Sequence, residues 1–275
     1  MQIAVHQMCS GTEPAKNVGA MVSAIHQSSK SGATMYFAPE MSILLDRNRD
    51  RARRHIVFES DSPELEKLST AASQAGLWVH IGSLPVVHEK GGRFANRTII
   101  FGPDGQIRAR YDKMHLFDVD LASGESWRES AAYVGGDGPV AVETPLGSMG
   151  LTICYDVRFP SLYSELIAAN VDIITVPAAF TVPTGGAHWH TLLRARAIEA
   201  EAFVIAAAQS GWHEDGRQTY GHSLVVDPWG KVLLDMEEGE GLAFVELDLN
   251  RLAEVRAQIP VHKNRRQIDM PIRLY

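Results

Sequence analysis

The chain has 275 residues, a formal net charge of −7 and two cysteines. That length carries one large α/β domain or two small ones, and the 45% hydrophobic content is ordinary for a folded globular chain. Charge of both signs is spread along the sequence, so no basic stripe exists to grip a phosphate backbone; even the run Arg47–Arg54, preceded by Asp46 and interrupted by Asp50, reads as a solvated face.

In chain order, the alternation over Ile3–Gln7 predicts a strand, and Val18, Met21, Val22 and Ile25 recur at helical spacing before Gly32. Ala33–Ala38 predicts a strand that runs into Pro39 and Glu40. Ser62, Pro63 and the apolar set Leu65, Leu68, Ala72 and Ala75 mark a capped helix closed by Gly76, followed by a strand over Leu77–Ser83. Phe94–Phe101 and Ile107–Tyr111 form a hairpin across Gly102-Pro103-Asp104-Gly105. The stretch 112–138 has weak periodicity, and irregular segments of that length are commonly functional or disordered. Val140–Glu143 and Ser148–Cys154 make a second hairpin, and Pro160–Ala169 a helix. Asp172–Val176 is a strand and Ala187–Ala202 a helix. Val204–Ala208, Gly221–Asp227, Val232–Asp235 and Ala243–Leu247 are further strands, and Leu249, Leu252 and Val255 mark a last helix.

Strands and helices alternate without a linker, which predicts one domain over 1–275, with 260–275 as a packing or interface tail. Cys9 and Cys154 are too few for a disulfide scaffold and suit a reducing compartment. No basic leader with an apolar run opens the sequence, and no apolar run is long enough to span a bilayer, so the cytoplasm is expected.

The segment from Gly150 to Pro160 carries the most chemistry. An apolar strand ending at Cys154, a polar turn and Pro160 to open a helix would project a thiol from the sheet edge, with the Tyr155 amide facing a developing oxyanion. A free cysteine is otherwise commonly a small buried hydrophobe, the reading given to Cys9. Glu40 and Lys113 repeat the topology of Cys154, each a polar residue just beyond an apolar strand. Singly, such charges are ordinarily solvated. If the strand ends converge, a carboxylate, an ammonium and a thiol share one pocket.

Pro39-Glu40, Asp112-Lys113-Met114-His115-Leu116 and Cys154-Tyr155-Asp156-Val157-Arg158-Phe159-Pro160 resemble the three signature segments of the nitrilase, or carbon–nitrogen hydrolase, superfamily. The likeness extends over nearly the whole chain, through Gly185-Gly186-Ala187-His188-Trp189, Leu193–Glu199, Tyr220-Gly221-His222-Ser223 and Val226–Gly230; these features resemble the branch containing deaminated glutathione amidase and omega-amidase. The resemblance implies a four-layer α-β-β-α sandwich of two mixed sheets with helices outside, in a homodimer or higher homo-oligomer. It implies Glu40 as general base, Lys113 as oxyanion-stabilising lysine and Cys154 as nucleophile. Glu129 matches a second active-site glutamate better than Glu125 does. One departure is His190, where many relatives carry glutamate after Ala-His-Trp.

The expected reaction is thiol-dependent hydrolysis of a small amide to acid and ammonia through a thioester, and the resemblance implies a carboxylate-bearing substrate of omega-amide or deaminated-glutathione type. Phe180, Thr181 and Arg194 are substrate-side candidates, whereas Arg158 is read as bracing its turn. An N-carbamoyl compound or a nitrile would use the same triad, and a non-catalytic binding or assembly protein on the same scaffold is the alternative from another class. No cofactor is expected: Walker and dinucleotide glycine patterns are absent, as is a His-Glu-x-x-His run. His188, His190, His213 and His222 are close in sequence, but His188 and His190 lie two apart on a helix and do not share a face, so no metal is expected.

Overall fold

Alternation decides which side of each strand is covered. In the first strand, Gln2–Gln7, the side chains of Ile3 and Val5 point one way and Ala4 the other, and all three are fully buried. A sheet buried on both faces needs a layer on each. The computed structural model, which describes residues 1–89, 91–120, 122, 124 and 126–266, supplies them.

A seven-stranded mixed sheet runs in the order Gly241–Glu246, Gln2–Gln7, Met35–Phe37, Trp78–His80, Phe94–Phe101, Leu84–Val87, with Ile107–Asp112 also paired to Phe94–Phe101. A six-stranded mixed sheet runs Val232–Asp235, Leu224–Val226, Phe203–Ala206, Ile173–Thr175, Gly147–Leu151, Val140–Thr144. Ile3, Val5, Met35 and Phe37 meet Met149, Leu151 and Ile174 in the core between the sheets. Outside the first sheet, Ala4, Tyr36 and Val79 pack on Val18, Met21 and Ile25 of helix Pro14–Lys30 and on Leu65 and Leu68 of helix Pro63–Ala75. Helices Pro160–Ala168 and Val182–Ala200 contribute Leu162, Leu166, Trp189 and Leu193 on the far side of the second sheet. The expected α-β-β-α sandwich is the fold. Each fully buried Leu or Ile contributes roughly 1.5–3 kcal/mol, so the layers are held by many similar contacts rather than one dominant one.

Local chemistry accounts for the element ends. Ser62 Oγ accepts the Leu65 N–H at 3.3 Å, Pro63 opens the helix, and Gly76 at φ 59° closes it. The Val182–Ala200 helix begins five residues earlier than the sequence pattern indicates. Pro183 pre-sets its first turn, and Gly185 is needed because the Tyr220 ring occupies the place of a side chain. The strand expected over Leu77–Ser83 stops at His80, and a separate strand, Leu84–Val87, follows the left-handed Gly82. Stretch 112–138 holds a small hairpin, Asp118–Asp120 with Ser126–Arg128, clasped by Arg128 on Asp120 at 2.6 Å. A second hairpin, Ser210–Trp212 with Gln218–Tyr220, is absent from the sequence reading. The strand expected to end at Cys154 ends at Leu151 instead, and Cys154 opens a 3₁₀ turn, Cys154–Arg158. The described part of the tail lies against the body: His262 Nε2 bonds Ala200 O at 3.0 Å, and Arg265 donates to Ser164 O at 2.8 Å. Residues 267–275 and Glu125 lie outside the described residues.

The loop carrying Glu40 is pinned to the loop after His80. Ser83 N donates to Pro39 O at 3.2 Å, Met41 N to Ser83 Oγ at 3.0 Å, and Ser42 Oγ to Ile81 O at 2.6 Å. Gly82, at φ 73°, lies directly beneath the Pro39 carbonyl, where a methyl group would collide with backbone. Gly82→Ala should therefore cost about 2–4 kcal/mol of stability. A urea melt should show a lowered midpoint, whereas an unchanged midpoint would mean the two loops are not tightly docked.

Candidate active site

Each sheet sends loops to the same end of the sandwich. Glu40 follows Met35–Phe37, Lys113 follows Ile107–Asp112, and both come from the first sheet. Cys154 follows Gly147–Leu151 of the second sheet, and Glu129 opens the 3₁₀ turn Glu129–Ala131. Lys113 Nζ donates to Glu40 Oε1 at 2.8 Å and to Glu129 Oε2 at 2.9 Å. The side chains of Lys113, Glu40 and Glu129 are only 2%, 6% and 13% exposed.

A buried ammonium and two buried carboxylates tolerate one another only when their hydrogen-bonding capacity is filled. Glu40 Oε2 accepts the Ala179 N–H at 2.9 Å, and Glu129 Oε2 accepts the Phe117 N–H at 2.6 Å. Asn96 donates Nδ2 to Glu40 Oε1 at 2.9 Å and to Glu129 Oε1 at 3.4 Å, so one amide bridges both acids. Burial alone would strip Lys113 of its proton, but Glu129 and Glu40 outweigh it and hold the ammonium well above the usual lysine range. The Cys154 thiol is raised well above the usual range, by burial first and by the Glu40 charge second; Lys113 and the Ala179 amide work the other way and lose. At rest the sulfur is a thiol.

Cys154 has φ 49°, a left-handed conformation unusual for a non-glycine residue. It is held there by its N–H on Pro177 O at 2.9 Å and by Asp156 N on Ile153 O at 3.1 Å. Asp156 is fully buried and ties this turn to the lysine loop: its carboxylate accepts from Ile153 N at 2.9 Å, Tyr111 Oη at 2.7 Å, His115 N at 2.9 Å and His115 Nδ1 at 2.7 Å. His115 in turn stacks on Phe159 at 3.6 Å.

Around these groups opens a cavity of about 940 Å³, walled by Phe117, Trp127, Tyr155, Phe180 and Thr181. Phe180 and Thr181, both substrate-side candidates, line it. Arg194 does not line the cavity, and its Nε donates to Gly230 O at 2.9 Å, which corrects its candidacy. Arg158 sits over the Phe180 ring at 5.4 Å and reaches His188 Nδ1 at 3.3 Å, bracing the cysteine turn onto the long helix. The sequence reading missed Asn96, Asp156 and the cavity arginines. Asn96 had a signal, an amide inside the apolar strand Phe94–Phe101. Arg47 and Arg49, read as a solvated face, line the cavity mouth. Among the described residues neither guanidinium has a carboxylate partner, and Arg49 donates only to the Arg128 carbonyl, at 2.8 Å.

Residues 2–257 match the carbon–nitrogen hydrolase family. The chain belongs to that family. It is 37% identical over 269 residues to the deaminated glutathione amidase of Yersinia enterocolitica, covering 97% of this chain and 93% of that protein. Identity to the deaminated glutathione amidase of Homo sapiens is 36%, covering 96% and 82%. The crystal structure of the C. elegans NitFhit protein superposes with a TM-score of 0.88 at 38% identity, over 96% of this chain and 65% of that one. An amidase from Nesterenkonia sp., solved after Michael addition of acrylamide at its active-site cysteine, gives a TM-score of 0.78 at 25% identity, over 96% and 99%. This carbon–nitrogen hydrolase is an amidase, and the Nesterenkonia sp. amidase that it resembles has an active-site cysteine. No helix among the described residues is long and apolar enough to cross a membrane.

Asp156→Asn replaces one acceptor oxygen with a donor amide that faces a backbone N–H. Stability should fall by about 2–4 kcal/mol. A denaturant midpoint within error of wild type would show that the carboxylate does not carry the link between the two loops.

Proposed function

We propose that Cys154, Glu40 and Lys113 hydrolyse a small carboxylate-bearing amide through a thioester. The observation that carries this is the buried Lys113 ammonium gripped by two carboxylates beside a buried thiol. Glu40 takes the thiol proton as sulfur attacks the amide carbon, so the thiolate exists only as the new bond forms. The negative oxygen that develops is met by Lys113 and by the Tyr155 N–H, the amide left over between the committed amides of Cys154 and Asp156. Glu40 passes its proton to the leaving nitrogen, then takes one from water to free the acid. Glu129 acts as a positioning residue that holds Lys113 through its two oxygens, at 2.9 and 3.2 Å.

The preferred substrates on this reading are omega-amides of dicarboxylates or deaminated-glutathione-type compounds. Relatives named deaminated glutathione amidase, and Arg47 and Arg49 at the cavity mouth, whose guanidinium groups have no carboxylate partner among the described residues, both favour a substrate with a carboxylate remote from the reacting bond. A primary amide would release ammonia. Glutathione contains secondary amides, so a substrate of that type would release an amine in its place. A carbamoyl substrate would add carbon dioxide, and a nitrile would consume a second water. The reading includes a cytoplasmic homodimer: Cys9 and Cys154 are free thiols, and Ile198, packed beside Gly230, and the neighbouring Trp229 leave 47% and 48% of their surfaces exposed.

Cys154→Ala should lower turnover of a primary omega-amide by about 10⁴-fold or more while leaving the circular dichroism spectrum unchanged. Product analysis by mass spectrometry identifies the bond cut, and wild-type turnover by that variant would sink the assignment. Because the resting sulfur is protonated, its alkylation by iodoacetamide in the free enzyme should climb through pH 9 without levelling. A plateau below pH 8 would mean a preformed thiolate and would remove Glu40 as the base.

A further inference from the structure

Of the four neighbouring histidines, two are committed elsewhere. His188 faces Arg158, and His213 is buried between Ser10 O at 2.9 Å and Thr219 Oγ1 at 2.7 Å. The other two converge on one carboxylate from separate elements. His190 Nε2, on helix Val182–Ala200, lies 2.9 Å from Asp235 Oδ2. His222 Nδ1, just beyond strand Gln218–Tyr220, lies 2.9 Å from Asp235 Oδ1, on strand Val232–Asp235. Each of the three residues presents one ligand atom, and the three atoms lie within 4.8 Å of one another. Donors around a single zinc ion sit about 3.3 Å apart, so small side-chain rotations suffice to seat one.

We propose that His190, His222 and Asp235 form a binding site for a divalent transition-metal ion, zinc by its ligand chemistry, separate from the amidase cavity. Two imidazoles and a carboxylate are a donor set that zinc accepts, with water as the fourth ligand. Each neutral ring can turn a lone pair to the ion by moving its proton to the other ring nitrogen. Among the described residues no lysine or arginine pairs with Asp235, so the ion supplies the full positive charge that the carboxylate lacks. The donors are held in advance. His222 has φ 54°, its N–H is on Glu237 O at 2.7 Å, its carbonyl accepts Trp189 Nε1 at 2.8 Å, and its ring stacks on Tyr220 at 4.3 Å. The Glu237 N–H also fixes Asp235 Oδ1 at 2.9 Å. A bound ion clasps the long helix to the second sheet behind the cavity wall, where Tyr220 N donates to Phe180 O at 2.9 Å.

The test titrates zinc chloride into the full chain carrying Cys154→Ala, which removes the cavity thiol as a competing ligand, with calorimetry and Tm as readouts. One ion per chain should bind with a Kd on the order of micromolar, and saturation should raise the Tm by about 3 °C or more. Adding His190→Gln, which keeps a donor for Asp235 but removes the imidazole, should weaken binding about 30-fold or more and abolish the Tm rise. Adding Cys9→Ala should change neither. No binding, or unchanged stoichiometry and affinity in the His190→Gln protein, would overturn the site. The Tm of that variant without zinc separates lost binding from lost fold.

Discussion

A lysine ammonium held between two carboxylates, out of water, is the constraint from which the rest of the site follows. Each of these ions forfeits several kcal/mol of hydration on burial, and their mutual attraction recovers it only with close geometry and every lone pair occupied. Loops from both sheets are therefore docked to a tolerance set by hydrogen bonds. The Ala179 amide from the second sheet finishes Glu40, the Phe117 amide finishes Glu129, and the Asn96 side chain spans the two acids. Asn96 Oδ1 has no partner among the described residues, so the pull of the carboxylates on Nδ2 alone sets that amide's orientation. Fold and chemistry meet at these contacts.

The same charges set the state of the sulfur. Lysine beside a thiol ordinarily favours thiolate, yet here burial and Glu40 outweigh it and the proton stays. On the proposed mechanism Lys113, already held by three oxygens of its two acids, also faces a charge that exists only during reaction. A site of this kind stabilises the transition state more than the ground state, which is what accelerates a chemical step. It also guards the protein, since a neutral buried thiol is a poor target for stray oxidants and electrophiles.

Much of the fold is legible in the sequence because burial on both sheet faces writes apolar strands, and Ser62, Pro63 and Gly76 punctuate a helix by local chemistry. Glu40, Lys113 and Cys154 stand out as candidates for a related reason: each comes shortly after a strand, and strand ends gather at sheet edges. Glu129 stands out only through family likeness, because nothing in an irregular stretch distinguishes it from Glu125. Asp156 was in plain view beside Cys154, but its four donors come partly from residues about forty positions away, and spacing does not encode them. Helix geometry turns the substrate-side candidate Arg194 away from the cavity. It stands four residues from His190 and so shares that face, which looks toward Gly230 and Asp235 instead of the cavity. His190, a departure from the family pattern at sequence level, acquires its partner only when strand Val232–Asp235 is folded beside it.

The central claim is covalent: the acyl group passes through the Cys154 sulfur. Mixing enzyme with excess primary omega-amide, quenching in acid within the first turnovers and mapping peptides by mass spectrometry addresses it directly. An acyl thioester on the peptide containing Cys154, and none on Cys9, is the predicted result. Turnover with no acylated peptide at any quench time, and solvent oxygen delivered in a single step, would contradict it.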